Sequence, residues 1–153
     1  MDKLYFEDYI LGEKKRTPGR TITESDLVMW SAFTGDWHPL HTDKSYAANS
    51  PFGERIAHGM LVLAVGSALI FRFGQYEILP KSFIAFYGME TVRFMNPVKI
   101  GDTLSLEWEV TELIEKDEKR GIFTSRNVIQ NQDGEDCCVY IQKILCGRKP
   151  KGK

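Results

Sequence analysis

A chain of 153 residues, 42% apolar and 27% charged, is long enough to bury the core of one domain and too apolar to stay disordered. Its 20 basic and 21 acidic side chains leave a net charge of −1, which argues against a general positive field for nucleic acid or an anionic membrane. We therefore expect a single domain over residues 1–153, ending in a solvated basic tail at about 147–153.

The sequence predicts neither export nor a membrane span. Its first ten residues are too polar for a secretory signal, and the apolar run Met60–Phe71 is far shorter than the ~20 residues that cross a bilayer. Cys137, Cys138 and Cys146 lack the spacing of a zinc or redox motif, so we expect them to be small apolar residues of a strand. A cytoplasmic protein is expected.

The first third of the chain predicts a broken strand and a helix. Residues 12–22 favour a strand with a bend at their proline and glycine. The run Thr23–Asp26 is typical of a capping box, and it predicts a helix over residues 24–33. Gly35 suits the end of that helix, because glycine takes the left-handed conformation easily.

The next segment predicts a loop and a long helix. Residues 36–43 are expected to be irregular because Pro39 interrupts a continuous helix. Asp43 is a candidate N-cap for a short helix over residues 44–49. A second helix, over about 59–73, is apolar on every side, which predicts burial on every side.

The second half of the chain changes to strand patterns. Strands are predicted over residues 82–95, 103–110, 122–130 and 135–147, and residues 131–134 form a turn. A run of antiparallel strands after one buried helix predicts an α+β hot-dog arrangement, a curved sheet wrapped around a long central helix. Sheet edges of such a fold pair between subunits, so we expect a homodimer or a higher homo-oligomer.

Chemistry is concentrated in residues 34–61, which hold all three histidines of the chain. Asp36 and His41 lie on either side of Pro39, so the two side chains can converge and hold one water between them. Gly59 begins the central helix, where open N–H groups and a missing side chain favour an oxyanion hole. No serine or cysteine stands in a GxSxG elbow, so covalent acyl transfer lacks support.

Simpler roles compete at each of these positions. Asp36 could serve only as a turn residue, and His38 and His41 could lie at the rim of a loop. His58 is expected to be an N-cap-like structural group. The histidines could also bind a metal with Asp36, but their spacing matches no standard metal motif, so we expect no metal.

Two segments resemble the signature of the MaoC-like hydratases, the (R)-specific enoyl-CoA hydratase family. They are TGDWHPLHTD at 34–43 and FGERIAHGML at 52–61, and VRFMNPVKIGDTL at 92–104 resembles that family's strand and turn after the central helix. The resemblance implies a hot-dog fold, usually dimeric, and a role in fatty acid metabolism. It implies reversible syn addition of water to a trans-2-enoyl thioester, giving the (R)-3-hydroxyacyl product.

By the same resemblance, the family's catalytic residues fall on Asp36 and His41 and its oxyanion N–H on Gly59. Ser67 matches a serine that supports the site, although a small packing residue would look the same. His38 stands where the family commonly has Asn, and a histidine can form the same hydrogen bond in one tautomer but can also titrate. The resemblance implies no metal or redox cofactor; the acyl group arrives on coenzyme A or an acyl carrier.

Three other functions remain open from the sequence. The chain could be a 3-hydroxyacyl-[acyl carrier protein] dehydratase, a hot-dog thioesterase, or a non-catalytic subunit that binds acyl-CoA. The acyl chain length and the division of acid and base roles between Asp36 and His41 are also open.

Overall fold

The computed structural model of the chain describes residues 1–152, so Lys153 of the predicted tail lies outside it. Four helices precede most of the sheet. The elements are β1 Lys14–Arg16, β2 Arg20–Thr21, α1 Glu24–Thr34, α2 Pro39–Thr42, α3 Lys44–Ala48, α4 Gly59–Ala68, β3 Phe83–Phe94, β4 Thr103–Glu115, β5 Arg120–Gln130 and β6 Asp136–Gly147. Two 3₁₀ segments, Phe6–Asp8 and Leu69–Phe73, complete the regular structure.

The strands form one antiparallel sheet in the order β1-β4-β5-β6-β3, and β2 pairs with β4 beside β1. The alternating apolar side chains of β4, from Leu104 to Val110, are almost fully buried beneath α4. At the helix–sheet contact, a Cβ on Gly66 would overlap the side chain of Ile129 and lie 2.5 Å from its Cγ1, so a larger residue would force Ile129 to move. The predicted α+β architecture, a sheet packed on a central helix, is confirmed.

Local signals placed the first helix well. Thr23 and Asp26 form the predicted capping box, and the Thr23 Oγ1 accepts a hydrogen bond from the Asp26 N–H. The Asp43 carboxylate caps α3 in the same way, accepting from the Tyr46 N–H at 2.9 Å.

The prediction that residues 36–43 are irregular is wrong. Residues Pro39–Thr42 form the short helix α2, with Pro39 at its first position and His38 as N-cap. Proline fits there because the first N–H of a helix has no partner inside the helix and because its fixed φ already suits the helix.

The prediction that the central helix is buried on all sides is also wrong for the single chain. Leu61, Val62, Leu63 and Gly66 are buried, whereas Met60 is 58% exposed and Ala64 and Ala68 lie exposed along the same face. The α-helix ends at Ala68 and continues only as a 3₁₀ segment to Phe73. A single sheet covers one side of a helix, and nothing within residues 1–152 covers the other.

Strand β3 is the far edge of the sheet and carries many exposed apolar side chains. They are Phe83, Ile84, Phe86, Tyr87, Val92 and Phe94, followed by Met95 just beyond the strand. We call these side chains the β3 edge cluster. An uncovered, apolar edge strand is a common place for another chain to pair.

The three cysteines are buried in β6, as predicted. Burial raises the pKa of the Cys137 and Cys138 thiols to about 11 and that of Cys146 to about 12. These thiols are therefore packing groups with little thiolate at neutral pH.

The basic tail, which the sequence predicts to be solvated, is held to the rest of the protein by Arg148. The Arg148 guanidinium donates to the Glu7 carboxylate at 3.0 Å and to Glu115 at 2.8 Å, so the solvated-tail prediction is wrong at this residue. Within residues 1–152, no helix is both long and apolar enough to cross a bilayer.

Candidate active site

The segment between α1 and α2 presents the Asp36 carboxylate. Gly35 ends α1 in the left-handed conformation, with a φ of 82°. The Asp36 Oδ1 then accepts a hydrogen bond of 3.2 Å from the His38 N–H, while the side chain stays exposed. Asp36 thus has the turn role that the sequence allowed, and this role occupies only one of its two oxygens.

His38 caps the short helix α2. Its Nδ1 accepts a hydrogen bond of 3.1 Å from the Leu40 N–H, and its ring lies edge-on to those of His41 and Tyr46 at centroid distances of 6.1 and 6.0 Å. Because Nδ1 accepts, the neutral ring carries its proton on Nε2.

A backbone carbonyl defines the tautomer of His41. The His41 Nδ1 lies 2.7 Å from the carbonyl oxygen of Ile56, and a carbonyl can only accept. Nδ1 therefore carries the proton, and the Nε2 of the neutral ring keeps a free lone pair. His41 is half-buried, so this nitrogen is poised as a base.

His58 contacts Asp36 and His41 and is 2% exposed. Its Nε2–H donates to the Asp36 carbonyl at 3.0 Å and lies 3.1 Å from the Ser31 Oγ, while its Nδ1 has no partner within residues 1–152. Its ring stacks on the His41 ring at 3.8 Å. Burial lowers the pKa of His58 below its ordinary 6.5, with His41 acting in the same direction and the Asp36 contact opposing it. His58 is therefore a neutral support for the cluster.

The nitrogen and oxygen ligand atoms of Asp36, His41 and His58 lie within 4.8 Å of one another. Two groups bonded to one tetrahedral water stand about 4.6 Å apart, given bonds of ~2.8 Å. Two ligands of a tetrahedral zinc stand about 3.4 Å apart. Separations of up to 4.8 Å leave room for one water bonded to two of these groups.

Gly59 provides an open amide beside this cluster. It is the first residue of α4, where helical N–H groups have no partner in the preceding turn and the helix end is positive. A Cβ on this residue would come within 3.2 Å of the Phe94 ring, so Phe94 packs closely against this position. A cavity of about 350 Å³ adjoins it, lined by apolar side chains including Phe52, Ile56 and Val62.

Ser67 does not join the cluster through any hydrogen bond. Its Oγ donates to the Ala64 carbonyl of its own helix at 3.0 Å, about 12 Å along the helix axis from Gly59. Sequence reasoning missed three contributors: the Ile56 carbonyl, Ser31 and Phe94. Ile56 and Phe94 lie inside the family-like segments, but the segments do not show which groups they contact, because each contact joins residues distant in the chain.

Similar proteins exist among characterised ones. "Protein MaoC" of Klebsiella aerogenes is 41% identical over 102 residues, 67% of this chain and 29% of that protein. The 3-hydroxybutyryl-CoA dehydratase of Methylorubrum extorquens is 39% identical over 111 residues, 72% of this chain and 66% of that protein. The (R)-specific enoyl-CoA hydratase of Rhodospirillum rubrum is 36% identical over 110 residues, 72% of each chain. The matched region spans less than two thirds of the first two relatives.

Solved structures give the same fold. A monoamine oxidase regulatory protein from Archaeoglobus fulgius superposes with a TM-score of 0.90 at 38% identity, covering 98% of both chains. The unliganded R-hydratase of Pseudomonas aeruginosa gives 0.78 at 31%, covering 99% of this chain and 94% of that one. A Mycobacterium tuberculosis protein with a double hotdog fold gives 0.82 at 21%, covering 99% and 46%. This confirms the hot-dog fold. Because the family model "MaoC like domain" matches residues 8–132, the chain belongs to the MaoC-like dehydratase domain family.

Proposed function

We propose that this chain is a hydro-lyase that adds water reversibly to a trans-2-enoyl thioester and forms the (R)-3-hydroxyacyl thioester. The observation that carries the proposal is the convergence of the Asp36 carboxylate and the His41 imidazole, whose Nε2 has a free lone pair, beside His58, the residue before Gly59 at the start of α4. The hydratase and dehydratase names of the relatives support the same reaction class.

The protonation states of Asp36 and His41 determine how the proton moves during hydration. An ionised Asp36 and a neutral His41 both accept hydrogen bonds, so a water between them is oriented by both of its hydrogens. One acceptor takes a proton as the water oxygen bonds to C3 of the substrate, and the electron pair of the double bond moves toward the thioester. The same proton then passes to C2, because the pair holds no other. Both additions come from one side, which gives syn stereochemistry.

The amide of Gly59 would stabilise the charge that develops during this step. The thioester oxygen becomes negative in the enolate, and an N–H at the positive end of α4 favours that charge. Loss of such a donor typically costs about 10²–10³ in kcat. The missing Cβ at Gly59 leaves room for the Phe94 ring to pack beside this amide.

We propose that the active form is a homodimer. The β3 edge cluster and the exposed strip of α4 near Met60 are two apolar surfaces that the single chain leaves uncovered. Phe94 of this cluster touches the Gly59 position, so pairing along β3 would cover the site from one side and exclude water from it.

The test is a panel of enoyl thioesters. Purified protein is mixed with crotonyl-CoA and longer trans-2-enoyl-CoA esters, and the loss of the conjugated enoyl-thioester absorbance is followed, with chiral analysis of the product. We expect hydration to the (R)-product, and folded protein that hydrates no chain length would refute the proposal. Carrier-protein thioesters in parallel decide between a hydratase and a carrier-protein dehydratase, and a thiol reagent detects thioesterase activity.

A further inference from the structure

His38 connects the acid–base chemistry of the site to its geometry. The helix α2 has four residues, and His41 is the third of them. The His38 side chain caps the start of this helix, and its Nδ1 lies 3.1 Å from the Leu40 N–H. Loss of this hydrogen bond would loosen the turn that aims His41 at the water position.

The bond exists in only one protonation state of the ring. Nδ1 accepts while it carries a lone pair, and a protonated imidazole is a donor at both nitrogens. A cation at this position would also face the positive end of α2, which is unfavourable. Aspartate and asparagine carry their Oδ1 at the same number of bonds from Cβ as the histidine Nδ1. Asparagine would therefore make the same cap without titrating.

The surroundings of His38 permit protonation. The side chain is exposed, so protons from the solvent reach it. Within residues 1–152, three titratable groups lie next to it: the Asp36 carboxylate, which accepts from the His38 N–H, and the rings of His41 and Tyr46, which lie edge-on to the His38 ring.

We propose that His38 is a positioning residue that holds His41 in place only while its own ring is unprotonated, which makes the site acid-sensitive by a route separate from the titration of Asp36 and His41. This proposal rests on the hydratase function above. It implies that the chain works best in neutral to basic surroundings and that a single substitution removes the additional acid sensitivity.

The activity test compares wild type with His38→Asn and His38→Ala across pH. At about pH 8, we expect His38→Asn to stay within about 2-fold of wild-type kcat/KM, because asparagine makes the same cap. His38→Ala should lower kcat/KM by about 3- to 30-fold, which is the rate change that corresponds to the free energy of one N-cap. At about pH 5.5, wild type should drop relative to His38→Asn toward the His38→Ala level. Taking ratios cancels the titration that all three proteins share. A wild-type to Asn ratio that does not vary with pH overturns the proposal.

A second measurement does not need enzymatic activity. Nitrogen-15 NMR of the His38 ring should show the Nε2–H tautomer at about pH 8, and the Leu40 amide resonance should move as that ring titrates. In His38→Asn the Leu40 amide should be insensitive over the same range. An Nδ1–H tautomer, or a Leu40 amide that ignores the titration of His38, refutes the cap even if the hydratase proposal stands. The tautomer and the coupled shift support the cap even if no thioester is turned over.

Discussion

Replacing His58 by phenylalanine separates the stacking of its ring from its hydrogen bonds. The new ring can still lie against His41, but the Asp36 carbonyl and the Ser31 hydroxyl lose their contact with Nε2. Two such bonds contribute about 1–3 kcal/mol together. Phenylalanine also removes the buried Nδ1, which has no partner within residues 1–152, and this offsets part of the loss. We therefore expect the free energy of unfolding to fall by an amount in the lower half of that range.

The pH dependence of this effect has a definite sign. Burial lowers the pKa of His58 in the folded protein below its ordinary 6.5. Below pH 6.5 the unfolded chain therefore binds a proton that the folded chain refuses, and the free energy of unfolding falls as pH falls through that window. The slope for one group is at most about 1.4 kcal/mol per pH unit. Phenylalanine cannot titrate, so His58→Phe lacks this contribution.

The assay is urea unfolding of both proteins at one protein concentration, at about pH 8 and about pH 5.5. Wild type should be the more stable at the higher pH, and its advantage over His58→Phe should shrink at the lower pH. Ser31→Ala is the matched control, because it removes one contact of His58 and leaves the imidazole in place. Equal changes with pH in wild type and His58→Phe would show that His58 is not held neutral by burial.

Three further outcomes are expected. Asp36→Asn and His41→Gln should each lower kcat by about 10²–10⁴ with unchanged circular dichroism, and near wild-type turnover in either removes that residue from the mechanism. Gly66→Ala should destabilise the fold by about 1–3 kcal/mol through overlap with Ile129, and Ile129→Val should restore part of the loss in thermal unfolding. Phe86→Glu in the β3 edge cluster should shift the sedimentation coefficient toward that of a monomer, and an unaltered dimer would exclude this edge as the interface.

Helix starts and strand limits were predictable because their causes are local. The Thr23–Asp26 capping box and the Asp43 cap each join residues three apart. The aromatic and β-branched content of residues 82–95 placed β3 close to its observed limits, and the alternation over residues 103–110 placed the start of β4. Such features depend on neighbours in the chain and not on the rest of the fold.

The misplaced features depend on context that a pattern does not contain. Pro39 interrupts a helix in its interior but begins α2 well, and the sequence does not show which of the two it does. The apolar surface of α4 shows that the helix needs cover, but not whether its own sheet or a second chain provides it. The sequence shows that a segment is apolar enough to be buried, and only the three-dimensional structure shows which element covers it.

The sequence predicted which residues form the site, but not the hydrogen bonds that orient them. The spacing around Pro39 suggested that Asp36 and His41 can meet. The tautomer of His41 depends on the Ile56 carbonyl, 15 residues away, and the position of His58 depends on Ser31, 27 residues away. Each contact joins segments that are separate in the chain, so no local pattern encodes it.

The burial of all three cysteines leaves the surface of the protein free of reactive thiols. Thiol reagents can therefore report coenzyme A release in the thioesterase assay with little background from the protein. It also permits selective labelling: a cysteine introduced at Trp37, which is 53% exposed beside Asp36, would be the one accessible thiol. A fluorophore attached there would report thioester binding directly, independently of turnover.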